Sequence, residues 1–293
     1  MLLAIDIGNS NIVIGGIQDN QIQFQARIAT DHIKTSDQYG VEINNMLTLF
    51  KVGVEEIDDC IISSVVPPVF NSVRTGVWKV IGKDPMVVGP GIKTGLNILM
   101  ENPASVGSDL IVAAVAAVQD YELPLILIDM GTATTITVVE KGNAYIGGAI
   151  LPGVRVSADA LSSRAAQLPG IQLDKPRRVI GKNTVECMRS GIMYGAAAMM
   201  DGMIERIEGE LGKHATVVAT GGVAQFIIPL CKRDLPYPHL IPTLFNGCGF
   251  GPPPPFTAAS TWTWIDHPVS GLLLLTMPPF SDLVSLRLRT CST

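Results

Sequence analysis

Two spacings of apolar residues alternate along the first 234 residues, and each change of spacing marks a predicted element. Short runs of branched apolar residues and strict apolar–polar alternation are typical of strands, whereas apolar residues every three or four positions indicate helices. The chain begins with a predicted meander of three strands, at residues 2–5, 11–14 and 21–29. Helices are then predicted at 36–50 and 71–82, and strands at 58–66 and 85–88. Pro67 and Pro68 are predicted to end the strand that precedes them.

The second part of the chain repeats this order of elements. Its predicted strands lie at residues 125–128, 136–139, 143–150 and 214–219. Its predicted helices lie at 154–166, at 184–211 as one long or two consecutive helices, and at 223–230. Between the two parts, the irregular stretch 89–107 precedes a helix at 109–119, and irregular stretches of that length are often functional. The repetition predicts a duplicated fold with a cleft between its halves.

The composition supports an α/β architecture for these two halves. Hydrophobic residues make up 47% of the 293 residues and charged residues only 16%, so most strands are expected to be covered on both faces. We therefore predict two mixed sheets flanked by helices, with an N-terminal half at 1–118 and a C-terminal half at 119–234.

Residues 235–293 differ in character from the rest of the chain. They contain ten of the 20 prolines, including the run Pro252–Pro255, two of the three tryptophans and few charges. They have neither a helical nor a strand period, and they lack the amphipathic elements that would complete a second α/β half. This composition favours an atypical Pro-rich tail that is frameshifted or otherwise aberrant, and disordered or loosely packed. The alternative is a genuine Pro-rich interaction tail.

Charge and cysteine usage exclude several classes of partner. The net charge is −5 and Lys and Arg form no run, which argues against binding to nucleic acid or to a membrane surface. Asp6 interrupts the first apolar stretch, and no apolar run reaches the roughly 18 residues of a membrane-spanning helix.

The five cysteines are widely spaced and form no C-x-x-C pair, so we expect reduced thiols in a cytoplasmic protein.

The chemistry concentrates at two Asp-x-Gly turns, each placed between two apolar strands. Asp6-Ile-Gly8 joins the first two strands, and Asp129-Met-Gly131 joins the first two strands of the second part. Glycine lets a backbone N–H approach an anion, a carboxylate suits a hard cation such as Mg²⁺, and hydroxyl groups donate hydrogen bonds. The hydroxyls that we expect at the second turn are those of Thr132, Thr134 and Thr135.

These turns are suited to holding the phosphates of a nucleotide. Phosphoryl transfer needs positioned phosphates, neutralised charge and an oriented acceptor hydroxyl that loses its proton. Asp6 and Asp129 could serve the first two needs, and Asp109, which follows the irregular stretch, is the candidate for the third. The alternative for Asp109 is stabilisation of a helix dipole in the first turn. The chain has no G-x-x-x-x-G-K-[ST] motif, so a Walker-type phosphate loop is excluded.

An ordered set of motifs over residues 1–234 resembles that of the type III pantothenate kinases. The motifs are Asp6-Ile-Gly-Asn-Ser10, Gly107-Ser-Asp109, Asp129-Met-Gly-Thr-Ala-Thr-Thr135, Gly147-Gly-Ala-Ile-Leu-Pro-Gly153, Ser190-Gly-Ile-Met-Tyr-Gly195 and Ala219-Thr-Gly-Gly222. The resemblance implies the duplicated ribonuclease-H-like fold of the actin, Hsp70 and sugar-kinase superfamily. It also implies ATP-dependent phosphorylation of pantothenate to 4′-phosphopantothenate, the first step of coenzyme A synthesis. A homodimer, Mg²⁺ and a monovalent cation, K⁺ or NH₄⁺, are further implications.

The resemblance also implies a role for each matching residue. The ATP-binding residues would be Asp6, Ile7, Gly8, Asn9, Ser10, Asn11, Ile12, Val13, Thr132, Gly221 and Gly222. Asp129 would bind the monovalent cation, and Asp6 would hold Mg²⁺ through the phosphates or through water. Asp109 would accept the proton of the pantothenate hydroxyl. The substrate-binding residues would be Gly107, Ser108, Asp109 and Thr184, with Thr184 reaching across the dimer unless it is an ordinary helix cap.

Two residues of the expected substrate region depart from the family pattern. Leu110 stands where the family usually has an arginine, whose guanidinium would anchor the pantothenate carboxylate in a bidentate pair. Met100 stands where a tyrosine is expected. These departures leave a second hypothesis open, a catalytically weak or non-enzymatic relative that acts as a regulatory nucleotide-binding protein. A third hypothesis is a polyphosphate- or ATP-hydrolysing member of the same superfamily.

Overall fold

The computed structural model describes residues 1–19, 21–89 and 92–232. The predicted tail at 235–293, and Pro90 and Gly91 of the irregular stretch, lie outside the described residues. Two five-stranded mixed sheets form the framework of the described part, as the alternation of apolar residues predicts.

The first sheet contains β1 (Leu2–Ile7), β2 (Asn11–Gln18), β3 (Gln21–Ala29), β4 (Asp59–Ser64) and β5 (Met86–Val87), in the order β3-β2-β1-β4-β5. The first three strands are an antiparallel meander, and β4 runs parallel to β1 on its other side. Helices α1 (Ser36–Leu49) and α2 (Pro67–Ile81) cover one face. That face is the main core of this half, where Leu3, Ile5 and Ile7 pack against residues of both helices.

The start of α2 corrects one prediction. Pro67 and Pro68 do not merely end the preceding strand; they are the first two residues of a helix predicted to begin at residue 71. Proline is well suited to this position, because the first N–H groups of a helix have no intrahelical partner and the fixed φ of proline is already helical. The start of α1 is fixed differently, since Thr35 and Gln38 form a reciprocal capping box.

The second sheet contains β6 (Asn97–Ile98), β7 (Leu125–Met130), β8 (Ala133–Glu140), β9 (Ala144–Pro152) and β10 (Thr216–Thr220), in the order β10-β7-β8-β9-β6. Again the three consecutive strands β7, β8 and β9 form an antiparallel meander, and β10 joins β7 in parallel. The helices of this half are α4 (Val154–Arg164), α5 (Thr184–Leu211) and α6 (Ala224–Ile227). The pattern over 184–211, which allowed one or two helices, forms a single helix of 28 residues.

Helix α3 (Ser108–Asp120) lies between the two sheets. Its Val112 packs against Ala4 and Ile61 of the first sheet. Its Ala113, Ala114 and Ala117 pack against Leu125 and Leu127 of the second. Small side chains on α3 therefore allow both sheets to approach the same helix. The division of the chain at 118/119 stays a prediction.

The predicted duplicated fold is confirmed by this arrangement. Each half has a three-stranded meander whose first strand accepts a parallel strand on its free side. Among the described residues, no helix combines the length and the apolar character that a membrane crossing requires. Of the cysteines that the structure covers, Cys60 is buried, Cys231 is partly buried and Cys187 is exposed, and all three are free thiols.

Candidate active site

Each Asp-x-Gly turn joins the first two strands of the meander in its own sheet. In β1, Asp6 lies opposite Val13 of β2 and opposite Ser63 of β4. In β7, Asp129 lies opposite Thr135 of β8 and opposite Thr220 of β10. The turns close with backbone hydrogen bonds of equal length, from Gly8 N to Asn11 O and from Gly131 N to Ala133 O, both 3.0 Å.

The tips of the two hairpins meet across the cleft. The Ser10 and Thr132 hydroxyl oxygens lie 3.2 Å apart, and both side chains are exposed. The structure thus brings together candidate nucleotide contacts that are 122 positions apart in the chain. Thr134 and Thr135 differ from the prediction, because both lie within β8 and not at the turn, and Thr134 is only 1% exposed.

The first hairpin offers two kinds of group to a ligand. Asn9, Ser10 and Asn11 are exposed, whereas the side chains of Ile7, Ile12 and Val13 are buried in the core on either face of the sheet. The exposed residues lie at the turn, and alternation along the strand places the adjacent Ile12 and Val13 on opposite faces. The buried members of the predicted ATP-binding segment can therefore contact a nucleotide only through their backbone.

Gly221 lies where no other residue would fit without strain. Its φ of +94° is one that L side chains rarely adopt, and a Cβ there would lie 2.5 Å from the Met130 carbonyl oxygen and 2.6 Å from Asp129 Oδ1. Gly222 follows, and its carbonyl oxygen accepts a 3.4 Å hydrogen bond from Gln225 Nε2. The turn after β10 thus approaches the Asp129 carboxylate closely enough to be part of the same site.

Asp109 is in the first turn of α3, where its Oδ1 accepts a 2.8 Å hydrogen bond from Leu110 N. The preceding Gly107 makes this conformation possible, because a Cβ on Gly107 would lie 2.4 Å from the same oxygen. Ser108 is 8% exposed, and its hydroxyl bonds the backbone of Ser64. Ser108 could therefore contact a substrate only through its backbone groups.

The electrostatics place the three carboxylates in one site. Burial is the main cause that raises the pKa of Asp6 to about 7; a hydrogen bond from Ser63 opposes the rise, and Asp109 and Asp129 add to it. Burial and the charge of Asp109 raise the pKa of Asp129 to about 6. Burial also raises the pKa of Asp109 above its ordinary value, against two backbone hydrogen bonds. Three acidic groups that repel one another in a cleft would be stabilised by a bound cation.

Comparisons with known proteins show the family of this chain. A family model described as type III pantothenate kinase matches residues 2–206. A type III pantothenate kinase of Brevibacillus brevis is 47% identical over 224 residues, which are 76% of this chain and 88% of the relative. One of Moorella thermoacetica is 44% identical over 229 residues, 78% of this chain and 90% of the relative. The chain belongs to the type III pantothenate kinase family.

Solved structures with similar architecture are more distant. Component A of (R)-2-hydroxyglutaryl-CoA dehydratase from Acidaminococcus fermentans aligns with a TM-score of 0.48 and 16% identity, covering 84% of this chain and 94% of that one. A putative N-acetylglucosamine kinase from Porphyromonas gingivalis aligns with a TM-score of 0.46 and 12% identity, covering 78% and 89%.

The site does not contain a complete metal cage of protein ligands. Within residues 1–19, 21–89 and 92–232, no three His, Cys, Asp or Glu side chains are grouped closely enough to hold a metal ion. The donors at the site are nevertheless carboxylate and hydroxyl oxygens, which suit Mg²⁺ and K⁺. This donor set fits an ion that takes most of its ligands from phosphates and water, as the resemblance to the pantothenate kinases implies for Mg²⁺.

Two residues near Asp109 and Asp6 were missed by the sequence analysis. Ser63 pairs with Asp6 across β1 and β4 and opposes the rise in the pKa of Asp6, and its hydroxyl oxygen lies 3.1 Å from that of Ser108. Tyr145 of β9 is buried, which raises its pKa, and the Asp109 charge adds to the rise. A serine in a strand and a tyrosine in a strand give no local signal of function. Their significance depends on which strands become neighbours.

Thr184 lies apart from the hairpins, at the exposed first position of α5. It is not the helix cap, because Asn183 caps the helix by accepting a 2.9 Å hydrogen bond from Glu186 N. No hydrogen bond among the described residues joins Thr184 to α3 or to either turn. A cavity of about 320 Å³ opens beside it, with Arg177 and Arg178 among its lining residues.

The two departures from the family pattern occupy different surroundings. Leu110 follows Asp109 in α3 and is partly buried. Met100 packs on the cluster that contains Tyr145, and a Cβ on Gly147 would lie 3.5 Å from its sulfur. Leu110 therefore changes the polarity next to the candidate base, whereas Met100 replaces a polar aromatic group with a flexible apolar one at the edge of the second sheet.

Proposed function

We propose that this protein catalyses ATP-dependent phosphorylation of pantothenate to 4′-phosphopantothenate, the first step of coenzyme A biosynthesis. The observation that carries the proposal is the meeting of the two glycine-containing hairpins at Ser10 and Thr132, with the carboxylates of Asp6, Asp109 and Asp129 interacting beside them. Relatives at 44–47% identity bear the name type III pantothenate kinase. Phosphoryl transfer requires positioning and charge neutralisation rather than covalent chemistry, and such a cleft suits it.

In the proposed reaction, Asp109 accepts the proton of the pantothenate hydroxyl. Its raised pKa makes it a stronger base than an ordinary aspartate, which supports this role. Gly107 and Ser108 present backbone groups to the substrate beside it. Leu110 offers no guanidinium to the pantothenate carboxylate, so the anchoring charge has to come from another residue.

The nucleotide lies between the hairpins in this proposal. The exposed residues of 6–13, the Thr132 hydroxyl and the turn at Gly221 and Gly222 contact ATP. Asp6 holds Mg²⁺ through phosphates or water, and Asp129 binds K⁺ or NH₄⁺. When bound, the divalent ion neutralises charge on the phosphate oxygens. The Ser10–Thr132 contact supports a shared site, since it brings the two tips within 3.2 Å.

The active form in this proposal is a cytoplasmic homodimer in which Thr184 contacts the substrate bound by the partner. Among the described residues, three apolar side chains of the second half are largely exposed, two of them within five positions of Thr184 in the chain, which supports an interface on this half. Val179 is 64% exposed, Ile180 81% and Ile150 of β9 77%. Side chains of this kind are enriched at the buried centre of homodimer interfaces.

A coupled assay of ADP release tests the proposed function. Purified chain, ATP, Mg²⁺ and K⁺ are expected to release ADP only when pantothenate is present, and chelation of Mg²⁺ is expected to abolish the release. A folded chain with no pantothenate-dependent turnover refutes the proposal and favours the regulatory alternative. A coenzyme A auxotrophy caused by Asp109→Asn alone would exclude that alternative.

A further inference from the structure

Ser63 is placed on the same face of the first sheet as Asp6. Parallel β1 and β4 pair these two residues directly, and paired residues of neighbouring strands point to the same side. The Ser63 side chain is 6% exposed and lines the same small cavity as Asp6. Ser63 therefore lies beside the acid of the first hairpin while remaining shielded from solvent.

Ser108, the first residue of α3, contacts Ser63 of β4 through its side chain. The two hydroxyl oxygens are 3.1 Å apart, and the contact is buried. Ser108 Oγ also accepts a 3.1 Å hydrogen bond from Ser64 N and donates a 3.0 Å hydrogen bond to Ser64 O. Val112, one turn further along α3, packs on the same sheet, so this face of the helix is turned toward β1 and β4. Asp109 is the next residue after Ser108.

Hydrogen bonds of the Ser108 side chain tie the first turn of α3 to β4. Gly107 at the N-cap has no side chain to cap the helix. The helix packs on the second sheet through Ala113, Ala114 and Ala117, which lie further along it. The hydroxyl contacts to β4 therefore fix the end of the helix that carries Asp109.

We propose that the serine bridge, the buried contact between Ser63 and Ser108, fixes Asp109 relative to Asp6 and makes Ser63 a positioning residue for phosphoryl transfer. The inference rests on the proposed function, since the base and the phosphate-site acid must be held at one separation during the reaction. A displacement of about 1 Å between reacting groups can reduce a rate about a hundredfold. Ser63 itself needs no contact with substrate.

A small cavity beside the bridge permits a conservative test. Its volume is about 20 Å³, and Asp6, Ser63 and Val112 are among its lining residues. That space can hold about one water molecule, so it can also relieve the extra methyl group of a threonine at position 63. Ser63→Thr keeps the hydroxyl and Ser63→Ala removes it. Ser64→Ala is the matched control, because the Ser64 hydroxyl bonds Val66 N and only its backbone meets Ser108.

The test measures kcat, both KM values and hydrogen–deuterium exchange of residues 106–114 for the full chain and the three variants. Ser63→Ala is expected to lower kcat about ten- to a hundredfold, with both KM values within about twofold. It is also expected to speed exchange at the start of α3. Ser63→Thr restores most of kcat, and Ser64→Ala keeps kcat and exchange close to those of the full chain.

Two results would overturn the proposal. One is a kcat of Ser63→Ala within about twofold of the unmodified chain. The other is a kcat that falls as much in Ser64→Ala as in Ser63→Ala. Either result would show that the Ser63 hydroxyl does not specifically position Asp109. If the unmodified chain has no pantothenate-dependent turnover, the proposed function fails. Hydrogen–deuterium exchange then tests by itself whether the serine bridge holds the start of α3. Unchanged exchange in Ser63→Ala then refutes it, whereas faster exchange confined to that variant supports it.

Discussion

The two hairpins share a motif but differ in what surrounds their carboxylates. The first turn places four residues between Ile7 and Ile12, which pair with each other, and the second places three between the paired Met130 and Thr134. On the parallel neighbour, Asp6 faces a serine and Asp129 faces Thr220, which leads into Gly221. The hairpin is thus a repeated device, and the neighbouring strand determines how each acid is held.

This difference extends to the electrostatics of the two acids. Burial raises both pKa values, to about 7 for Asp6 and about 6 for Asp129. Asp6 is affected by both other carboxylates, whereas Asp129 is affected by Asp109. Asp109 therefore belongs to neither hairpin yet interacts with both. Equal motifs have unequal electrostatic surroundings because α3 lies between the sheets.

Replacing Asp109, the acid between the hairpins, is expected to have the largest effect. Asp109→Asn removes the proton acceptor and keeps the shape of the side chain, so kcat should fall about 10²- to 10⁴-fold while ATP still binds. Steady-state kinetics and nucleotide titration measure both quantities. Asp120→Asn, at the exposed end of the same helix, is the control. Equal losses in the two variants would contradict a specific role for Asp109.

Exchanging one hairpin acid at a time tests whether the hairpins have separate roles. Asp6→Asn is expected to reduce kcat/KM for MgATP about a hundredfold, because the phosphate-side charge is lost. Asp129→Asn is expected mainly to raise the K⁺ concentration needed for half-maximal activity. Titrations of K⁺ and of MgATP with both variants separate these effects. If the activities of both variants respond identically to K⁺, Asp6 and Asp129 do not have these separate roles.

Gly221 and Gly131, which both lie near Asp129, are expected to differ in how far an alanine substitution destabilises the protein. Gly221→Ala should lower the free energy of unfolding by about 2 kcal/mol, because of its positive φ and the close Met130 carbonyl. Gly131→Ala should cost roughly 0.5 kcal/mol or less, since the Ala133 carbonyl oxygen would lie an ordinary contact distance of 3.6 Å from its Cβ. Urea denaturation of both variants measures the difference. A tolerated Gly221→Ala would contradict the close approach of this turn to Asp129.

The raised pKa of Asp6 predicts how stability depends on pH. The native carboxyl keeps its proton up to about pH 7, while in the unfolded chain it has its ordinary pKa of 3.8. The stability that this group contributes is complete below about pH 4 and decreases as the pH rises toward 7. Without added ions at pH 7.5, Asp6→Asn should therefore raise the free energy of unfolding, by on the order of 1 kcal/mol after solvent screening. Denaturation at pH 5 and pH 7.5 checks this, and a stabilisation that is equal at both values would contradict it.

The smallest expected effect concerns the substrate side of Asp109. Leu110→Arg supplies a guanidinium for the pantothenate carboxylate and should lower the KM for pantothenate about three- to tenfold, with the KM for ATP unchanged. Leu110→Met is the control for altered packing. An unchanged KM in the arginine variant would show that another residue already anchors the carboxylate. Arg177 and Arg178, beside Thr184, would then be the first to replace with alanine.

Local signals were sufficient for the two hairpins but not for their surroundings. Strand alternation and the Asp-x-Gly sequence predict the turns at Gly8 and Gly131, because a hairpin is a contact between neighbours in the chain. The edge strand β6 has only two residues and belongs to a sheet whose other strands begin 27 positions later, so no local pattern could place it. The proline pair at 67 and 68 was interpreted as a strand end, although proline is equally suited to starting a helix.

The sequence by itself determined the duplicated order of elements, the two acidic turns and, through its motifs, the kinase family. These features depend on residues close together in the chain or on motifs in a fixed order. Only the tertiary structure decided that Ser10 meets Thr132, that Ser63 and Ser108 bridge β4 to α3, and that three carboxylates share one cleft. The packing of α3 between two sheets brings these groups together. Contacts of that kind depend on the shapes of both sheets at once, which no local stretch of sequence encodes.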